Sequence, residues 1–123
     1  MKIRLKNSRM AEMLHQLRPL LSHRDMIGYV AARNCRILSE CLTEYEAFRR
    51  DLIAKHGEEV TDDNGMTAYQ IKIDSPAFKA FCDEMAPYNE MEHEVDLMTA
   101  KYTDAIGCLS GEEILNVDWM LED

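Results

Sequence analysis

Carboxylates carry the most conspicuous chemistry in this chain. Glu58, Glu59, Asp62 and Asp63 come close together, and Asp83, Glu84 and Glu90 follow, then Glu112, Glu113, Asp118, Glu122 and Asp123. Residues 58–123 hold seventeen Asp/Glu against three Lys/Arg, whereas residues 1–57 hold six against eleven. A dense carboxylate surface keeps a protein soluble. It also uses the long-range attraction that steers nucleic acid, so it can replace phosphates in the basic channel of a partner protein. Glu58, Glu59, Asp62, Asp63, Asp83, Glu84 and Glu90 are the residues expected to meet such a partner.

The other reactive residue types form no recognised constellation. His93 stands between Glu92 and Glu94, but neighbours on a strand point to opposite faces and could not easily grip one ion. His15, His23 and His56 stand apart, and no H-E-x-x-H occurs. The Asp62-Asp63-Asn64-Gly65 turn lacks the ligand spacing and terminal Glu of a calcium loop. Five glycines include no phosphate-cradling loop, and no nucleophile signature is present. No catalytic residue, metal site or cofactor is expected. Cys35, Cys41, Cys82 and Cys108 show no C-x-x-C spacing, and the first three fall among apolar periodic positions, as buried free thiols do. Met10, Met13 and Met85 have core-like spacing, Met66 and Met98 fall on exposed positions, and Trp119 is expected in the core.

The elements that must position these groups follow from periodicity. Lys2–Lys6 alternates charged and apolar residues as a half-buried strand does. Met10, Met13, Leu14 and Leu17 give a first helix from the Asn7-Ser8 cap to Leu17, with Pro19 in the turn beyond. From Ser22 a heptad seam runs through Ile27, Ala31, Asn34, Leu38, Cys41, Tyr45, Phe48 and Leu52 to Gly57. One helix over 22–56 would be roughly 50 Å long, against about 35 Å for the diameter of a compact domain of this size. It must bend near Gly28 or Asn34, or pack its free end on another chain. Leu38, Tyr45, Phe48 and Leu52 are the seam residues for self-association as a homodimer, and Asn34 suits register-setting in a helical pair.

Asn64-Gly65 predicts a hairpin, with Thr67–Ile73 as its second arm and Tyr69, Ile71 and Ile73 on one face. Its first arm, around Val60, could instead be a mobile acidic loop. Ser75-Pro76 opens a helix that Pro87 is expected to end. Met91–Met98 alternates as a strand. The stretch 99–109 is less clear, an extended segment and turn ending at Gly107. Ser110–Glu113 is a capping box for a final helix to the terminus. The predicted order is β-α-α-β-β-α-β-α. This is an α+β fold with a long helical hairpin beside a small, mostly antiparallel sheet. Lys2, Arg4 and Lys6 share the period of Glu92, Glu94 and Asp96, which predicts that these two strands pair and neutralise each other.

With 123 residues and a net charge of −9, the chain is expected to form a single domain, 1–123. Its acidity disfavours direct nucleic-acid or membrane binding, and no window is apolar enough to span a bilayer. The N-terminus lacks the apolar core of a secretory signal, so the expected location is the cytoplasm.

Lys2-Ile3-Arg4-Leu5-Lys6-Asn7-Ser8, the long helical region and Leu109-Ser110-Gly111-Glu112-Glu113-Ile114-Leu115 together resemble the layout of small prophage proteins. That class includes anti-CRISPR inhibitors and virion or tail-assembly accessory factors. The resemblance implies a non-enzymatic phage or mobile-element protein in the host cytoplasm. It would inhibit a host nucleic-acid-handling defence protein, such as a CRISPR effector nuclease, through its acidic surface. The alternatives are an assembly factor acting through the 22–56 helix and, with least support, a small hydrolase or metalloenzyme.

Overall fold

The computed structural model describes all residues, 1–123. Its elements are β1 (Lys2–Lys6), α1 (Asn7–Leu17), a 3-10 turn (Arg18–Ser22), α2 (Met26–Cys41), α3 (Thr43–His56), β2 (Glu58–Thr61), β3 (Thr67–Gln70), α4 (Pro76–Asn89), β4 (Glu92–Asp96), β5 (Ala100–Lys101), α5 (Tyr102–Ala105), α6 (Gly111–Asn116), a 3-10 turn (Asp118–Met120) and β6 (Leu121–Glu122). The fold is α+β. The chain forms two compact units, Met1–Leu42 with Glu92–Asp123, and Thr43–Met91.

In the first unit, β1 and β4 pair as the matched charges predict, and they do so antiparallel. Lys2 lies opposite Asp96, Arg4 opposite Glu94 and Lys6 opposite Glu92. The Arg4 guanidinium donates diagonally to Glu92 at 2.7 Å, and the N-terminal ammonium donates to Asp96 at 3.0 Å. Each such cross-strand contact contributes roughly 0.2–1 kcal/mol. Ile3 and Leu5 turn to the other face, where Leu5 and Val95 are buried. Helix α1 packs on α2, burying Met10, Met13 and Leu17 with Ile27, Val30, Ala31 and Leu38.

Asn34 is fully buried. Its side chain accepts from the Met98 backbone N–H at 2.7 Å and donates to the Met98 carbonyl at 2.9 Å. The seam Asn therefore clamps the chain between β4 and β5 instead of setting the register of a helical pair.

Several expectations are corrected here. The helix over 22–56 breaks at Leu42, not at Gly28 or Asn34. Leu42 has φ −92° and ψ 3°, and its N–H still bonds to Leu38. Thr43 with Glu46 three residues on is a helix-start pattern, and Glu44 and Glu46 suit the positive end of the α3 dipole. Helix α2 starts at Met26, capped by Asp25, whose carboxylate accepts from the Gly28 N–H at 3.2 Å; Ser22 belongs to the preceding 3-10 turn. The long helical hairpin is thus two helix pairs, α1/α2 and α3/α4.

The sheet is three separate two-stranded ribbons: β1–β4 and β2–β3 are antiparallel and β5–β6 is parallel. The final helix stops at Asn116, and the chain then turns into β6, which leaves Trp119 half-buried and Leu115 exposed. Its Ser110 capping box is present. Cys82 and Cys108 are exposed, and Cys35 and Cys41 are half-buried free thiols.

The second unit is a helix–hairpin–helix. Its core is Leu52, Phe81 and Met85, with Tyr45, Phe48, Ile53, Ile71 and Phe78 packed against it half-buried. Tyr45 donates to Asn89 at 2.5 Å, and Phe48 meets Tyr88 with ring centroids 4.1 Å apart. Gly57 ends α3 as expected; a Cβ there would lie 2.8 Å from the Gln70 carbonyl, so glycine lets β3 approach the helix end. The strand after the turn stops at Gln70, and Ile73 is 74% exposed, because no second strand continues alongside it. Pro87 does not end α4, which runs to Asn89; it sits in the last turn, where little helix remains to be broken.

Candidate functional site

Hairpin β2–β3 carries Glu58 and Glu59 on its first strand and Asp62 and Asp63 at its turn. Every residue from Glu58 to Gln70 is exposed. The turn is held by Asp62. One carboxylate oxygen accepts from the Asn64 and Met66 N–H groups, each at 2.9 Å, and Gly65 with φ 78° closes it. The first arm is thus an ordered strand and not a loop: Glu58 pairs with Gln70 and Thr61 with Thr67. Successive strand residues face opposite ways, so Glu58 and Glu59 present charge on both faces. None of the four carboxylates ion-pairs with a basic side chain.

The remaining predicted partner-binding residues lie on or just after α4 and are not equivalent. Asp83 and Glu90 are exposed. Glu84 is held internally: Lys55 donates to it at 3.1 Å, and His56 Nε2 lies 2.9 Å away. The Lys55 hydrogen bond first, and His56 second, hold its carboxyl below the usual range. Glu84 therefore joins α3 to α4, and its charge is offset by Lys55 at the surface.

The predicted self-association residues also turn inward. Leu38 is 0% exposed in the first unit and Leu52 is 5% exposed in the second, while Tyr45 and Phe48 pack half-buried on the Leu52 cluster. The break at Leu42 divides the seam between the two units, so it forms no continuous apolar stripe.

A groove of about 300 Å³ opens in the second unit, lined by Arg49 and Ile53 of α3, Tyr69–Lys72 on and beyond β3, and Phe78 and Phe81 of α4. The Arg49 guanidinium lies 5.9 Å from the Phe81 ring centroid, within cation–π range. An adjoining depression of about 70 Å³ shares Gln70, Ile71 and Lys72 and adds His56 and Glu58. The sequence does hold a signal for this groove: the alternating Tyr69-x-Ile71 face and the Phe78-x-x-Phe81 helical pair. Only folding brings α3 to them.

One further cluster joins residues that stand far apart in sequence. Asp25 lies 3.6 Å from His23 Nδ1. Hydrogen bonding to the Asp25 carboxylate first, and desolvation second, push the Cys108 thiol pKa up. This is the reverse of nucleophile activation, which needs a base at the thiol and a lowered pKa. Tyr102 donates a hydrogen bond to Asp118, which raises the phenol's pKa. No group of three or more His, Cys, Asp or Glu side chains is gathered to hold a metal ion, and no helix is long and apolar enough to cross a membrane. No protein-family model matches the chain, and no curated protein or solved structure is significantly similar to it.

Proposed function

We propose that this chain is a non-catalytic interaction protein. Its β2–β3 hairpin enters a basic, nucleic-acid-binding surface of a partner protein, and Glu58, Glu59, Asp62 and Asp63 take the place of phosphates. The supporting observation is the exposure of the whole hairpin, with four carboxylates that no internal cation neutralises. A two-stranded ribbon is narrow and shows charge on both faces and at its tip, which suits insertion into a channel shaped for a nucleic-acid strand. Asp83 extends the negative field, and Glu84, held by Lys55 and His56, does not. In its narrower form the partner is a host defence nuclease of the CRISPR-effector kind, met in the host cytoplasm. That form rests on the layout shared with small prophage proteins.

The test is capture from a bacterial host lysate at low and high salt, followed by binding measurements with the purified partner. Wild-type binding should weaken steeply with salt. The quadruple variant Glu58→Gln, Glu59→Gln, Asp62→Asn, Asp63→Asn keeps the turn acceptor at position 62 and should lose binding. Equal binding by the variant would remove the hairpin from the interface and the proposal with it.

A further inference from the structure

The groove beneath β3 has the opposite electrostatic character to the unit that holds it. The second unit contains eleven Asp/Glu and five Lys/Arg, yet the only charged side chains lining the groove are two cations, Arg49 and Lys72. Neither has a carboxylate within ion-pairing distance. The floor is apolar: Ile53, Ile71 and Phe78 are half-buried against the Leu52 cluster, and Phe81 belongs to that cluster. About 300 Å³ is the lower end of the range of small-molecule sites.

From this we infer that the groove binds a small amphiphilic organic anion, with an aromatic or short aliphatic body on the floor and a carboxylate between Arg49 and Lys72. Each part of the ligand matches a separate part of the site. Apolar contact with the floor supplies area removed from water. A guanidinium and an ammonium at the edge of an apolar surface attract an anion more strongly than they would in open water. The Arg49 guanidinium is kept near this position by the Phe81 ring. The inference does not rest on the hairpin's proposed partner: Tyr69 and Gln70 belong to β3, but none of Glu58, Glu59, Asp62 or Asp63 lines the groove.

The test uses the intact chain and 1-anilinonaphthalene-8-sulfonate, an aromatic anion, as a fluorescent probe. It should bind saturably with one-to-one stoichiometry. Octanoate should displace it, while octanol, which lacks the charge, and acetate, which lacks the body, should not at the same concentration. Octanoate should shift the backbone amide resonances of Arg49, Ile53, Tyr69, Ile71 and Phe81 and leave those of the first unit in place. The double variant Arg49→Gln, Lys72→Gln should weaken probe binding about tenfold or more, the scale of a lost charge-assisted contact. Arg50→Gln with Lys79→Gln makes the same charge change in the same unit at exposed residues outside the groove, and should leave binding unchanged.

Non-saturable probe binding, displacement by octanol equal to that by octanoate, or equal weakening by the two double variants would each overturn the assignment. Displacement by a peptide with a free C-terminal Phe carboxylate at far lower concentration than octanoate would also overturn it. That result would make the groove a peptide site.

Discussion

The two units divide the chemistry of the chain unequally. Of 21 buried apolar residues, 18 belong to the first unit and three to the second. The first unit also buries a hydrogen-bonded Asn34 and sets its strand charges opposite one another across the β1–β4 ribbon. The second leaves its hairpin exposed and half-buries most of its aromatic side chains. A stretch of about 50 residues can bury only a small core. The comparison teaches that stability and display are assigned to different parts of the sequence: the first unit holds most of the buried core, and the second presents charge and groove.

That division can be tested, beginning where the effect is largest. Leu38→Ala removes a fully enclosed side chain from the first unit and should cost about 4 kcal/mol in urea unfolding. Asn34→Leu leaves the Met98 N–H and carbonyl without their partner and should cost about 3 kcal/mol by the same measurement. Leu52→Ala acts on a core of three and should cost about 2 kcal/mol. Hydrogen exchange followed by NMR should show amides of 43–91 opening first in that variant, with those of the first unit still protected. Uniform loss of protection in both would show that they unfold as one and would end the comparison.

Acid should reach the second unit through Glu84. Its carboxyl titrates below the ordinary value of 4.5 in the folded chain, so its contribution is complete above that value. The contribution is lost as pH falls through the lower folded value. The contact is exposed to solvent, so the effect is smaller than those in the core and shrinks with added salt. Glu84→Gln should remove this part of the acid sensitivity, read as exchange protection of α3 and α4 between neutral and acid pH. Smallest of all, the four-amide hairpin variant should change stability by less than about 0.5 kcal/mol, since its side chains are exposed and position 62 keeps its acceptor. A large loss would mean that the hairpin charges are structural and not for display.

Local patterns placed most elements. Period two locates β1 and β4, and charge complementarity predicts their pairing. Asn64-Gly65 located the hairpin, Ser75-Pro76 and Ser110–Glu113 located two helix starts, and Gly57 located a helix end. The misreadings share one cause. The seam from Ile27 to Leu52 is continuous in sequence, but its residues enter two separate cores, and a helix repeat does not say which partner each residue faces. Thr43 and Glu46 marked the break, but the longer period concealed them. Pro87 weakens a helix, yet the turn on either side of it is held by packing that a sequence window does not contain.

Sequence alone determined where charge accumulates, where strands alternate and where turns must fall, because these depend on neighbours within a few residues. Tertiary structure alone decided which of the remaining carboxylates are held: Glu84 is held by Lys55 and His56, and Glu58 and Glu59 meet no cation. It also brought Arg49 to Phe81 and Lys72 to the same groove. The physical reason is range: backbone propensity and alternation act along the chain, whereas ion pairing and apolar enclosure act through space between residues that the sequence keeps far apart.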